Sequence, residues 1–186
     1  MDVIWSAIVE AITMLFGGDA DVWEIIFLSM RVSGVSIVIA MLVGIPLGYY
    51  IGSRRRLGSR FLLILTNTGM GLPPVVAGLT VYIFLSRSGP IAELVVRFLD
   101  TAYAANAPHS EPRMLFTTWA MMIAQVVISA PLVTGVTAAA VGSVPIELRL
   151  QARSLGASTW QEAALTIKEA RRGVMAAVVA GFGGII

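Results

Sequence analysis

The sequence predicts an all-α integral membrane protein, and three observations carry that prediction. Hydrophobic residues make up 57% of the chain, charged residues only 13%, and the mean hydropathy is +0.85; a soluble domain carries about 25% charge. Three stretches, Val32–Gly52, Phe61–Leu85 and Met114–Gly142, contain no charge, and each reaches the roughly 20 apolar residues that a helix needs to cross a hydrocarbon core. The basic residues gather in short blocks beside these stretches, the pattern of membrane topology and not of a nucleic-acid face. The net charge of +2 and pI of 9.4 therefore call for a lipid bilayer as partner and for no nucleic acid.

The first element is residues 1–18. Val3, Ile4, Ala7, Ile8, Ala11, Ile12 and Leu15 recur at helical spacing, with Asp2, Ser6, Glu10 and Thr13 on the other side. This is the pattern of an amphipathic helix lying in the membrane interface, anchored by Trp5. It lacks the basic start of a signal peptide. The membrane domain proper is expected over 22–186, with spans at about 22–52, 61–86 and 114–142. The final apolar run, 174–186, is too short to cross, so a truncated chain is expected there.

The loop after the first span holds Arg54, Arg55, Arg56 and Arg60; the block after the third adds Arg149, Arg153, Lys168, Arg171 and Arg172. Residues 1–30 have no Lys or Arg. The positive-inside rule places loops 53–60 and 143–173 in the cytoplasm of a multi-pass cell-membrane protein, with the N-terminus outside. The outer loop 86–113 is expected to hold a short helix, Ile91–Asp100. Within the spans, Gly44 and Gly48 form a GxxxG around Pro46, Pro73-Pro74 interrupts the second span and Pro131 the third. Small residues allow close helix approach. Prolines free backbone carbonyls, which suits a transporter that changes shape, although ordinary kinked packing explains the same residues.

Residue chemistry excludes several functions. There is no cysteine, which removes disulfides and thiolate sites. His109, the single histidine, sits in a Pro-rich loop and reads as solvated. Lys168, the single lysine, follows Ile167, so no Gly-Lys-Ser/Thr phosphate loop exists. The chain is thus expected to be no enzyme, to bind no cofactor or metal and to have no catalytic residue; any ATP and magnesium belong to a partner. Thr66, Asn67, Thr68, Gln125 and Ser129 are polar groups within spans and form a candidate translocation path, although hydrogen bonds between helices would account for them equally. Arg31 at the outer end of the first span would attract an anion or simply snorkel to the interface.

The polar block 143–173 is organised. Pro145 suits a first helical turn, a helix is predicted over Ile146–Leu155, and Gly156 ends it as a C-terminal cap. Ser158-x-x-Gln161 and Thr159-x-x-Glu162 are overlapping capping boxes for a second helix reaching about Arg172. Such a helix–Gly–helix exposes an apolar tip at Ala152, Leu155, Gly156 and Ala157, able to dock in a groove of another protein. A hairpin lying flat on the membrane is the plainer alternative.

At these residues the block resembles the EAA loop of ABC importer permeases, whose pattern is roughly Glu-Ala-Ala, three residues, Gly, nine residues, Ile-x-Leu-Pro. Gln151-Ala152-Arg153 stands in the first position, Ser154-Leu155 leads to Gly156, and Ala157-Ser158 follow. The leading Glu is missing, and the last four positions read Thr166-Ile167-Lys168-Glu169. Together with IPLG (45–48), NTGMGLPPVVAGL (67–79), LSRSGP (85–90) and LTIKEARRG, the chain is similar to the tungstate-type permeases, relatives of molybdate and sulfate permeases, from about Asp19 to Phe182. The resemblance implies the type I (MetI-like) importer permease fold, pairing into a homodimer, docking of Gln151, Ala152, Arg153, Leu155, Gly156, Ala157 and Ser158 onto an ABC ATP-binding subunit, and delivery of a tetrahedral oxyanion, tungstate first and molybdate next, by an extracytoplasmic binding protein. A different class, an ion-gradient-driven secondary transporter, usually needs buried carboxylates or inverted repeats, and neither is visible. A scaffold would not explain the bent knob, and no metal cluster or nucleophile–base set supports a membrane enzyme.

Overall fold

A computed structural model describes residues 2–17, 20–54, 57–86 and 117–186. The expected helix at Ile91–Asp100 and the loop around His109 lie outside the described residues. In chain order the helices among the described residues are α1 (Asp2–Phe16), α2 (Ala20–Ser53), α3 (Leu57–Met70), α4 (Pro74–Leu85), α5 (Thr118–Gly142), α6 (Ile146–Ser154), α7 (Thr159–Glu169) and α8 (Arg171–Gly183).

α2 and α5 are long and apolar enough to cross a membrane. At 1.5 Å per residue the 34 residues of α2 extend about 51 Å, well beyond the ~30 Å hydrocarbon core. The second apolar segment is not one rod. α3 and α4 meet at a bend of 104°, and the cause is local. Neither Pro73 nor Pro74 has an N–H to give, and each bars the residue before it from helical geometry. Pro73 accordingly sits at φ −58°, ψ 137° as the N-cap of α4. The last turn of α3 closes through Gly71 N–H to Asn67 O at 3.1 Å, and α4 opens with Val76 N–H to Pro73 O at 2.9 Å.

α5 lies at the centre and touches α2, α3, α4 and α8. Its contact with α2 is made by small residues. The buried stripe of α2 runs through Val32, Ser33, Ser36, Ile37, Ala40, Gly44 and Gly48, while Phe27 and Leu42 on the same helix are 68% and 71% exposed. In water that arrangement would be inside out; in lipid the large side chains meet acyl chains and the small ones let backbones approach. A Cβ on Gly48 would stand 2.7 Å from the Thr134 carbonyl oxygen and 2.7 Å from Thr137 Cβ; one on Gly52 would collide with Ala138 O and Val141. The GxxxG at 44–48 therefore continues to Gly52, one helical turn further.

α3 and α8 use the same device. Gly69 leaves room for the Pro131 ring, whose Cβ and Cγ would lie 2.9 Å from an added Cβ, and Gly135 receives Met70. On α8, Gly181 faces Val133 and Ile37, and Gly173 faces Ala140. Ile37, Ala40 and Val133 form one buried cluster, joined by Val178 and Phe182. Val141, Val144 and Ala170 form a second at the far end, joined by Tyr49, Leu148 and Val174.

Gly48→Val should cost about 1–3 kcal/mol, the usual range for overpacking a close contact, read as a lower melting temperature in detergent. Gly34 meets nothing within 4 Å, so Gly34→Ala should leave stability unchanged or raise it by about 0.5–1 kcal/mol through helix propensity.

Candidate coupling hairpin

The block between α5 and α8 is a helical hairpin with both halves capped. α5 ends at Ser143, whose N–H bonds to Ala139 O at 3.1 Å and whose hydroxyl donates to Ala140 O at 2.8 Å. Pro145 is the N-cap of α6, one place before the first-turn position expected for it.

The bend is made by backbone chemistry. Gly156 has φ +82°, a left-handed conformation that costs a residue with a Cβ about 1–2 kcal/mol. Gly156 N–H donates to Arg153 O at 3.0 Å and Ala157 N–H to Ala152 O at 3.0 Å, the paired bonds of a Schellman C-terminus. Ser158 then caps α7 reciprocally: its hydroxyl accepts from Gln161 N–H at 3.4 Å, and its own N–H donates to Gln161 Oε1 at 2.8 Å. The second expected box is not used for capping. Glu162 turns back to Arg153 instead.

That turn creates an ion pair across the hairpin, with Arg153 Nε 2.7 Å from Glu162 Oε2; the carboxylate side chain is 6% exposed and the guanidinium side chain 62%. The hydrogen bond from Arg153 to Glu162, and then the carboxylate charge, push the guanidinium pKa above its already high value. Arg153 is therefore cationic at every physiological pH, and the pair braces α6 against α7.

Burial sorts the predicted tip. Gln151, Arg153, Gly156 and Ser158 are exposed, Ala157 is half-buried, and Leu155 is 88% exposed. Ala152 faces inward at 9%, so it belongs to the base of the bend and not to the outward patch. The register follows: counted back three residues from Gly156, the opening triplet of the EAA pattern falls on Leu150, Gln151 and Ala152, and a small buried side chain fills its third place while Arg153 projects. Trp160, which sequence reasoning passed over, is 85% exposed in the first turn of α7, five residues beyond Leu155.

The hairpin is rooted in the bundle at one end. Arg149 is 7% exposed, and its Nη1 donates to Ser53 O, the last residue of α2, at 3.0 Å. This bond sets the basic block 143–173 and the basic segment after α2 at the same end of the molecule.

The five polar residues within the spans do not form one surface. Thr66 is buried against α5, while Asn67 and Thr68 are exposed, the Thr68 hydroxyl donating to Ile64 O at 2.9 Å. Gln125 and Ser129 lie where α2, α5 and the end of α8 meet. Gln125 Nε2 donates to Ser33 Oγ at 3.1 Å and to Ile185 O at 3.2 Å, and Ser129 Oγ donates to Gln125 O at 2.7 Å. The carbonyl of Ile185 can only accept, which fixes the amide orientation and leaves buried Gln125 Oε1 without a protein partner. An oxyanion also brings acceptors, so that free oxygen would repel it.

The described elements are all helices, with apolar spans joined by a capped, projecting hairpin, and the chain has the type I importer permease fold. The model for the binding-protein-dependent transport system inner membrane component family matches residues 44–186, and the chain belongs to that family. It is similar to the tungstate uptake system permease protein TupB of Peptoclostridium acidaminophilum, with 33% identity over 183 residues, 98% of this chain and 72% of that one. It is also similar to the probable anion ABC transporter permease protein of Haloferax volcanii, at 32% over 158 residues, 85% of this chain and 60% of that one. The molybdenum transport system permease protein ModB of Escherichia coli K12 is 25% identical over 139 residues, 75% of this chain and 56% of that one. The chain thus spans between 56% and 72% of the length of these relatives.

Ser158→Ala should remove about 1 kcal/mol of cap stability, and Gly156→Ala should cost about 1–2 kcal/mol of backbone strain. Both should appear as faster amide hydrogen exchange confined to α6 and α7, with exchange in α2 and α5 unchanged.

Proposed function

We propose that this chain is the membrane-spanning subunit of an ATP-driven importer for a tetrahedral oxyanion, tungstate foremost, and that loop 143–173 couples it to a separate ATP-binding subunit. The observation that carries this reading is the hairpin itself. It is capped at both halves, braced by Arg153–Glu162, rooted on α2, and presents Leu155 and Trp160 to whatever meets it. A short rigid knob with two large apolar side chains is suited to a groove on a partner protein. Gln151, Arg153, Gly156, Ala157 and Ser158 lie around those two side chains and complete the contact, with Ala152 supporting it from below.

Import by such a machine runs through two conformations, each favoured by different partners. ATP binding closes the partner subunits, the knob moves with the groove that holds it, and the spans change their exposure from one side to the other. ATP and magnesium reside in the partner. Basic loops 53–60 and 143–173 lie in the cytoplasm and the N-terminus lies outside, consistent with the two basic segments sharing one end of the bundle. An extracytoplasmic protein delivers the anion, and a second copy of the permease completes the path; of Thr66, Asn67, Thr68, Gln125 and Ser129, the exposed Asn67 and Thr68 are the better candidates to line it, since Thr66 and Ser129 are buried between helices and Gln125 bonds across them. Molybdate is the second reading, favoured by the likeness to the Escherichia coli permease.

Deleting the gene should lower cellular tungsten, measured by mass spectrometry at nanomolar supply of each oxyanion, and leave molybdenum near its normal level. A fall in molybdenum alone selects the second reading, and no change in either metal removes the oxyanion assignment. Gly156→Leu should uncouple ATP hydrolysis from uptake. The pair Leu155→Glu and Trp160→Glu should abolish co-purification of the ATP-binding subunit while membrane insertion persists.

A further inference from the structure

Arg149 occupies a position where a hydrophobic residue would be simpler. It is a cation at 7% exposure; among the described residues it makes one hydrogen bond, to Ser53 O, and its buried Nε has no partner. Burying a guanidinium is costly unless its charge is met. The charge is met here by the end of α2. A helix C-terminus carries a partial negative charge and unpaired carbonyls, and the last carbonyls of α2 are served by side chains from outside it. Ser59 Oγ lies 3.0 Å from Ile51 O and 2.6 Å from Arg54 O, and Arg149 takes Ser53 O between them.

The hairpin root also makes apolar contacts: Val144 packs with Val141 and Ala170, and Leu148, Tyr49 and Val174 lie against that cluster. Such contacts slide, whereas a charge-assisted hydrogen bond fixes distance and direction. α2 is in turn locked to α5 by Gly44, Gly48 and Gly52, so a force applied at Ser53 acts on a rigid span and not on a loop. We propose that Arg149 is the positioning residue that makes the hairpin and the cytoplasmic end of α2 move as one body, delivering displacement of the knob to the first span. This rests on the reading of the hairpin as the contact for an ATP-binding subunit.

The test uses the complete transporter in proteoliposomes with Arg149→Met, which keeps the volume and removes charge and donors. R149M should bind the ATP-binding subunit and hydrolyse ATP as the unmodified complex does, while oxyanion uptake per ATP falls about tenfold, within the usual span of coupling between sites. Arg149→Lys, retaining charge and a donor, should recover most of that loss; a merely structural side chain would lower binding, hydrolysis and uptake together. A second readout does not depend on transport. The chain has no native cysteine, so spin labels at Leu47→Cys and Leu150→Cys report the distance between α2 and α6 directly. That distribution should be narrow with Arg149 and broad in R149M. Unchanged label distances, or unchanged uptake per ATP, would overturn the proposal. If the unmodified complex shows no ATP-driven oxyanion uptake, the functional reading fails and the label distances alone decide the role of Arg149. Should R149M not fold, Arg149→Gln keeps one neutral donor on a shorter side chain and should broaden the same distribution; a distribution as narrow as with Arg149 would overturn the proposal.

Discussion

Gly48 has no room for a side chain, and much of the molecule depends on that fact. In a bilayer, apolar residues gain nothing by leaving lipid for one another, so helices associate where their backbones approach closely and pack without voids. Gly44, Gly48 and Gly52 bring α2 onto Val133, Thr134, Thr137, Ala138 and Val141 of α5, and α5 receives α3 and α8 through Gly69, Gly135, Gly173 and Gly181 by the same means. The seam turns two long helices into one rigid unit, and the ends of that unit place everything else.

At one end of the seam stands the hairpin. Its shape is set by local chemistry that needs no membrane: a Schellman turn at Gly156, a reciprocal cap at Ser158 and an ion pair across the bend. Its position is set by the bundle, through Arg149 on the last carbonyl of α2 and through the Val141–Val144–Ala170 cluster. Local rigidity and anchoring are separable, and a coupling element requires both. A stiff knob on a loose root would absorb motion, and a well-rooted but frayed hairpin would not transmit it.

At the other end several polar side chains inside the membrane bond within the bundle, mostly to backbone carbonyls. Ser36 donates to Met122 O, Gln125 bridges Ser33 and Ile185, and Ser129 bonds within its own helix. Hydroxyl and amide groups in lipid must find partners, and small residues at a close seam put those partners within reach. Polarity within a span therefore marks helix contacts here at least as readily as a route for solute.

The sequence by itself determined the membrane character, the positions of the apolar segments, and the hairpin with its glycine bend and Ser158 cap, because each depends on contacts within a few residues or on local composition. It also carried the family resemblance, in the stretch around Gly156. It did not reveal the extension of the glycine seam to Gly52, the inward turn of Ala152, the pairing of Glu162 with Arg153, or the 104° bend at Gly71–Pro73, where the prolines announced a break but not its angle. Least legible was the bond from Arg149 to Ser53, residues 96 apart. A basic residue beside a span satisfies the topology rule whether it faces water or a helix end, so only the tertiary fold, which brings Arg149 to Ser53 O, decided which.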